Sequence, residues 1–148
     1  MGQAFAQADV AVSLEVVAIH VQADGTERVA PAAQARPDDI LEYRATYRNR
    51  GTTTARQVQA TLPVPAGQVS YVMNAAQPRQ VRASVDGRVY DAPPLKRTVV
   101  GADGRRKEES VPLSEYRSLR WDLGDIAPGA SKVVSARVRV NPLSTSGG

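Results

Sequence analysis

Apolar and polar residues alternate with a period of two along much of this sequence, and no other feature constrains the fold as strongly. The clearest example is the segment from Ile40 to Asn49. Its apolar positions are Leu41, Tyr43, Ala45 and Tyr47, and its polar positions are Glu42, Arg44, Thr46 and Arg48. Successive side chains of a strand point to opposite faces of the sheet, so this segment is predicted to be a half-buried strand.

Other segments show the same alternation or a shorter apolar run: Val10–Val21, Arg28–Ala35, Val58–Leu62, Val69–Met73, Val81–Val85, Tyr116–Leu123 and Lys132–Val140. Ten Pro and eleven Gly divide the chain into short pieces, and no segment keeps the three-to-four-residue period of a helix. Asp86-Gly87 is predicted to turn a compact hairpin that returns through Arg88–Tyr90. We therefore predict an all-β protein, an immunoglobulin-like antiparallel β-sandwich of about eight to ten strands.

The domain boundaries follow from the ends of this pattern. The chain of 148 residues suits one domain with one core, which we place at residues 9–140. Residues 1–8 are interpreted as a truncated signal-peptide remnant, because Ala4-Phe5-Ala6 and Ala6-Gln7-Ala8 both have the form that signal peptidase cuts after. A disordered tail is the open alternative for 1–8, and residues 141–148 are predicted to be a disordered polar tail. Export to the periplasm, cell surface or extracellular space is expected.

The residue types that carry most enzyme chemistry are scarce in this chain. It has no Cys, which excludes disulfides, thiolate metal sites and cysteine nucleophiles. Its one histidine, His20, lacks the partners of a zinc site or a catalytic triad and is predicted to be partly buried or at a strand edge. Glycine-rich phosphate loops are absent. The sequence predicts no catalytic, cofactor-binding or metal-binding residue, and a protein that is not an enzyme.

Three pairs of carboxylates remain as candidates for chemistry: Asp38/Asp39, Glu108/Glu109 and Asp122/Asp125. Asp38/Asp39 precede a strand and are predicted to form a turn. Glu108/Glu109 follow Arg105-Arg106-Lys107 and are predicted to be part of a solvated charge run. Asp122/Asp125 flank Gly124 in a predicted tight turn, where turn capping is favoured and a calcium ion is an open alternative.

The charge pattern favours a mixed, solvated surface. The net charge is +4, but fifteen acidic residues are interspersed among nineteen basic ones. Binding of an anionic polymer or glycan through exposed Arg137 and Arg139 stays open as an alternative function. Nucleic-acid binding is not expected, because Tyr43 and Tyr47 would face the core while the arginines between them face away. No apolar run reaches the roughly 18 residues of a membrane span.

Three further predictions concern particular segments. Trp121, Leu41, Tyr43 and Val138 are predicted to be largely buried, since each lies on the apolar face of its strand. Leu95–Val111 is predicted to project as a charged hairpin that turns at Asp103-Gly104. The first strand, Val10–Val21, contains no Pro or Gly and only one charged residue, Glu15. At a sheet edge it would be open to pairing with a partner or another copy, whereas inside its own sheet it would be protected.

Two groups of motifs resemble the bacterial "conserved repeat domain" family, a domain of unknown function, over roughly residues 9–140. The first group is Pro37–Tyr43, Tyr47–Gly51, Ala55–Val58 and Leu62-Pro63, and the second is Leu119–Ile126, Pro128–Ser131 and the closing Val-rich strand. The resemblance implies an immunoglobulin-like fold in a cell-surface or secreted protein. Family members often carry tandem copies, whereas this chain has one copy and a longer middle section at about 81–115.

These observations together predict a non-catalytic structural or interaction module of the bacterial envelope. Its partner is expected to be a protein, including a second copy of the chain in a homo-oligomer or filament, and no cofactor is expected.

Overall fold

The computed structural model describes residues 9–65 and 67–142 of the chain. These residues form ten strands and two short 3-10 turns, which confirms the all-β class and the predicted number of strands. The strands are β1 (Val10–Val21), β2 (Glu27–Pro31), β3 (Ile40–Asn49), β4 (Ala55–Pro63), β5 (Val69–Tyr71), β6 (Arg82–Ser84), β7 (Lys96–Val100), β8 (Arg106–Ser110), β9 (Ser118–Ile126) and β10 (Ser131–Val140). The 3-10 turns are Ala32–Gln34 and Leu113–Glu115.

Two antiparallel sheets of unequal width make the body of the protein. The wider sheet has five strands in the order β2-β1-β3-β10-β5, and the narrower sheet has three in the order β4-β9-β6. One cluster of buried apolar side chains draws on both sheets, so the body is a β-sandwich. The remaining strands, β7 and β8, pair with each other and join neither sheet.

The core is built around Trp121 of β9, which is 1% exposed. Its indole N–H donates to the carbonyl oxygen of Pro78 over 2.9 Å, so the polar end of the ring is satisfied inside the protein. Tyr116, just before β9, stacks on Tyr71 of β5 with 5.5 Å between the ring centroids. This stack connects the segment just before β9 of the narrower sheet to β5, which is an edge strand of the wider sheet.

The burial predicted for four strand residues is half right. Trp121 and Val138 are buried, whereas Leu41 and Tyr43 pack against the core from its margin and stay partly exposed. On this face of β3 burial increases along the strand, from partly exposed Leu41 and Tyr43 to buried Ala45, Tyr47 and Asn49. The core therefore covers the second half of β3 more fully than the first half.

Asn49 ends β3 and ties the two sheets together at one end of the sandwich. Its buried side-chain amide donates to the carbonyl oxygens of Thr53, over 2.7 Å, and Ile126, over 2.9 Å. Its side-chain oxygen accepts from the N–H of Gly51 over 2.9 Å, and its backbone N–H donates to Ala130. Ile126 is the last residue of β9, so this one side chain links the wider sheet to the narrower. Asn49-Arg50-Gly51 therefore forms a tight corner at the end of β3.

The hairpin predicted at Asp86-Gly87 is a loop instead. Hydrogen bonds from the backbone of Arg88 and Val89, and then from the hydroxyl of Ser84, lower the pKa of Asp86 to about 2. Because this carboxylate binds the donors that a returning strand would use, 88–90 is not a strand. The return to β6 is a single bridge between Ala83 and Asp91.

The predictions for the two ends fall mostly outside the described residues. These are the leader or tail at 1–8 and the greater part of the polar tail, 143–148. Asn141, at the start of that tail, is attached to the wider sheet. Its backbone N–H donates to Gln68 over 2.9 Å, and the hydroxyl of Ser70 donates to its side-chain oxygen over 2.6 Å.

Replacing the central ring tests the core. Trp121→Ala is expected to lower the free energy of unfolding by about 3–5 kcal/mol, because it leaves a large cavity and an unpaired carbonyl at Pro78. Val89→Ala is the matched control, since Val89 is 72% exposed, and its effect should stay within about 0.5 kcal/mol. Urea denaturation of both variants measures this, and equal midpoints would show that Trp121 does not anchor the core.

Replacing Asn49 tests the corner that joins the sheets. Asn49→Ala is expected to cost about 2–4 kcal/mol, because the carbonyls of Thr53 and Ile126 and the N–H of Gly51 lose their side-chain partner. Asn49→Asp keeps an acceptor for Gly51 but turns a carboxylate toward two carbonyl oxygens, so it should also be destabilised at neutral pH. Thermal melts check both, and a melting temperature unchanged in either variant would contradict this role.

Candidate functional site

The Asp122/Asp125 pair, the one place where a calcium ion was an alternative, lies in a strand and not in a tight turn. β4 has a bulge at Gln57, which takes a positive φ of 52°. β9 stays paired with β4 across this bulge and extends past both carboxylates to Ile126. Asp122 accepts from the side chains of Gln59 and Arg82, each over 2.9 Å. Asp125 accepts from the backbone N–H of Gln57 over 3.0 Å. The two carboxylates therefore make separate cross-strand contacts, and no three His, Cys, Asp or Glu side chains within 9–65 and 67–142 could hold a metal ion.

The other two carboxylate pairs lie where the sequence placed them. Asp38 takes a positive φ of 73° in the turn before β3, and Asp39 accepts from the backbone N–H of Arg36 over 2.9 Å. Glu108 and Glu109 both lie on β8, outside the sandwich. The first pair forms a turn and the second belongs to a solvated charge run, as predicted.

A cavity of about 280 Å³ opens beside β5 and is lined by Tyr71, Met73, Arg79 and Pro93, among others. Its ionisable side chains are a phenol and a guanidinium. Burial, and then the neighbouring Tyr116, raise the pKa of Tyr71 to about 12, so this phenol does not serve as a general base near neutral pH. His20 is half-buried on β1, opposite Arg28 of β2, and does not line this cavity.

The predicted charged hairpin is confirmed as β7 and β8, and we call Lys96–Ser110 the arm. Its turn is closed by the N–H of Gly101 donating to Arg105 over 2.8 Å, and the Asp103 carboxylate accepts from the N–H of Arg105. Gly104 takes the positive φ of 78° that this turn requires. The arm carries five basic and three acidic residues, and nearly all of its side chains are exposed.

The base of the arm is fixed to the sandwich. Leu95 and Val111, on either side of the arm, are buried in the core. The N–H of Leu95 donates to the hydroxyl of Tyr116 over 2.8 Å. Arg97 pairs with Glu109 across the arm, over 3.1 Å, and with Glu115 in the body, over 2.9 Å. These contacts hold the arm in a defined direction while its far end stays exposed.

Charged side chains of neighbouring strands pair on the outer face of the wider sheet. Arg137 of β10 contacts Glu27 of β2 with two nitrogens, over 2.8 Å each, and Glu42 of β3 over 2.9 Å. Arg44 pairs with Glu42 and, over 3.7 Å, with Glu15 of β1. We call these five residues the ion-pair cluster. Arg137 is consequently half-buried and paired, not exposed as predicted, because three carboxylates lie on the same face as two arginines.

The pKa values of the ion-pair cluster reflect this pairing. Burial raises the pKa of Glu42, but hydrogen bonds from Arg137 and Arg44 outweigh it and hold the pKa below the ordinary 4.5. A hydrogen bond from Arg137 also lowers the pKa of Glu27. The same bonds, that of Glu27 first, raise the pKa of Arg137. The sequence shows that these side chains face outward, but it does not show the strand order that brings them together.

Within the part of the chain that the structure describes, the first half of β1 has a neighbouring strand on one side only. β2 pairs with Val17–Val21, and no strand among the described residues pairs with Val10–Val16 on the side away from β3. We call Val10–Val16 the free edge. Val12 and Leu14, expected on a buried face, are 56% and 53% exposed. Their cross-strand neighbours Tyr47 and Ala45 are buried, so the narrower sheet covers β3 but not this part of β1.

Comparison of the chain with models of known protein families, with curated proteins and with solved structures found no match. None of the helical segments in the described residues is long and apolar enough to cross a membrane.

Acid titration tests the ion-pair cluster. Because the pKa of Glu42 is lower in the folded than in the unfolded protein, its contribution to stability is present above about pH 4.5 and is lost as the pH falls below it. Glu42→Gln is therefore expected to be less stable than the parent at pH 7, by about 1 kcal/mol. The difference should shrink towards pH 3, measured by urea denaturation at each pH.

The exposed Glu108 supplies the control. Glu108→Gln should match the parent chain at both pH values. If Glu42→Gln is as stable as the parent at pH 7, or if the difference persists at pH 3, the cluster does not contribute through these charges.

Proposed function

We propose that this protein is a non-catalytic interaction module of the bacterial envelope that acts through protein–protein contacts made by the arm. The observation that carries the proposal is the position of the arm: an exposed, charged hairpin that joins neither sheet but is anchored at its base. A sandwich can place binding residues on such a segment without disturbing its core. Export is part of the proposal and rests on the leader-like residues at 1–8.

The ends of β7 and β8 supply a contact surface of mixed chemistry. Val100 is 68% exposed, and it pairs across the arm with Arg106. Lys107 lies opposite Val99. Apolar and charged side chains side by side are typical of protein interfaces, which combine a small apolar contact with a polar rim. Buried Leu95 and Val111, together with the Arg97–Glu115 pair, attach the base of the arm to the body, which reduces the ordering that binding requires.

The second candidate function is binding of an anionic envelope polymer. Arg105, Arg106 and Lys107 are consecutive and exposed at the start of β8, and they favour a polyanion. Arg137 does not support it, because the ion-pair cluster holds two arginines and three glutamates. Arg139 is exposed and makes one long contact with the carbonyl oxygen of Asp38, over 3.3 Å.

A shortened arm tests the proposal. Replacing Thr98–Glu108 by Asn-Gly keeps the Arg97–Glu109 pair and supplies a two-residue turn. The variant is expected to unfold at about the same urea concentration as the parent, because the removed residues lie outside the core. It should lose at least tenfold in binding to an envelope fraction of the source cells, measured by co-sedimentation.

Two treatments of the envelope fraction separate the candidates. A protein partner predicts that protease digestion of the fraction removes binding, whereas a polyanion partner predicts that binding survives digestion but falls steeply with salt. As a control, Val89→Ala should bind like the parent chain. Unchanged binding by a folded shortened-arm variant would contradict the proposed role of the arm.

A further inference from the structure

We propose that two copies of this chain pair through the free edge, with their β1 strands antiparallel and related by a two-fold axis at Ser13. The proposal deepens the proposed function by naming a second copy as a partner. It uses a surface other than the arm, so the two proposals can fail separately.

The backbone of the free edge has hydrogen-bonding groups directed away from β3. The N–H of Arg50 donates to Asp9 over 2.9 Å, and the N–H of Gln22 donates to Thr26 over 2.7 Å. In an antiparallel ladder, alternate residues bond to opposite sides. The backbone N–H and C=O groups of odd-numbered residues of β1 therefore bond to β3, and those of even-numbered residues point away from β3. On the free edge these are Val10, Val12, Leu14 and Val16.

The length of the free edge fits a second copy of itself. β2 ends at Pro31, which pairs with Val17, and the 3-10 turn that follows it, Ala32–Gln34, also contacts β1. Before that point β1 offers the seven residues Val10–Val16, and a second copy offers a strand of the same length. With the two-fold axis at Ser13, Val10 pairs with the partner's Val16 and Val12 with the partner's Leu14. The backbone groups of all four even-numbered residues in each copy then bond to the partner strand, which makes about eight hydrogen bonds.

The side chains match in this register. Val12 and Leu14, more than half exposed in the single chain, lie opposite the partner's Leu14 and Val12 on one face. Cross-strand pairs of this kind stabilise a sheet because their Cβ atoms are only about 5 Å apart. On the other face Ser13 meets the partner's Ser13, and Glu15 meets the partner's Ala11. No two like charges face each other.

Charge complementarity favours the same arrangement. A surface groove of about 610 Å³ runs beside the free edge, and its lining includes Ala11, Arg48 and Arg50 but no acidic residue. Arg48 pairs with Ala11 across β1 and β3, and Ala11 is the residue that the partner's Glu15 faces. Two strand spacings, about 10 Å, separate the backbones of Arg48 and the partner's Glu15. Their two side chains can span that distance.

The expected dimer is reversible. A pair of seven-residue strands buries less than the roughly 1,200 Å² of a standard interface. The dimer should therefore dissociate on dilution. Both copies use the same edge about the two-fold axis, so no free edge of this kind is left for a third copy, and pairing here gives dimers and not filaments.

Sedimentation velocity of the full chain over a wide concentration range is the first test. The parent is expected to shift from monomer to dimer. Leu14→Lys should raise the concentration needed for half dimerisation at least tenfold, because it places a charge opposite the partner's Val12. Leu14 is exposed in the single chain, so the variant should melt like the parent. The shortened-arm variant should dimerise like the parent, which separates this test from that of the arm.

A single introduced cysteine reports the register, because the chain has none of its own. Under mild oxidation Ser13→Cys is expected to form a covalent dimer, since the two-fold axis brings the two positions within disulfide distance. Ala11→Cys is the matched control. It lies on the same face of the same strand but meets the partner's Glu15, so it should cross-link at least tenfold more slowly.

Three results would overturn the proposal. One is a parent chain that stays monomeric at every concentration. Another is equal cross-linking of Ser13→Cys and Ala11→Cys, as random collision gives. The third is loss of the dimer in the shortened-arm variant with Leu14→Lys unaffected, which would assign self-association to the arm.

Discussion

The buried amide of Asn49 is the contact on which the joining of the two sheets depends at one end of the sandwich. It supplies two donors and one acceptor where three chain segments meet: the end of β3, the loop before β4, and the end of β9. The chain turns at each of these segments, and each turn leaves backbone N–H or C=O groups without a hydrogen-bond partner in a neighbouring strand. Because one side chain bonds to all three, it holds the end of β3 in the wider sheet beside the end of β9 in the narrower sheet.

The unequal width of the sheets explains where the protein leaves surface for contacts. Three strands packed on five bury the middle of the wider sheet and leave Val12 and Leu14 of β1 exposed. Among the described residues, no strand pairs with Val10–Val16 on the side away from β3. The chain between β6 and β9 is longer than a connection needs, and it leaves the body as the arm. The outer face of the wider sheet is instead occupied by the ion-pair cluster, whose charges are directed at one another. The arm and the free edge are thus consequences of the architecture.

Local pattern predicted the strands and the arm, because each depends on neighbours in the sequence. Local pattern did not predict the contacts between segments that are distant in the sequence. Alternation placed Val12 and Leu14 on an apolar face but did not show which positions of that face the narrower sheet covers, so burial was wrongly expected for these two residues. Arg137 was correctly placed on an outward face, but its pairing with Glu27 requires β2, β1, β3 and β10 in that order. Asp125 was assigned to a turn because a bulge on β4, with Gln57 at positive φ, has no clear sequence signal.

Hydrogen exchange measured residue by residue along β1 tests most directly whether the free edge is an interface. The ladder to β3 predicts slow exchange at Ala11, Ser13 and Glu15 at every protein concentration. Self-pairing predicts that the amides of Val12 and Leu14 exchange fast in dilute protein and slow down as the concentration rises. Fast exchange of Val12 and Leu14 at all concentrations would contradict self-pairing, as would slow exchange at all of them, since that would mean the edge is already covered within one chain.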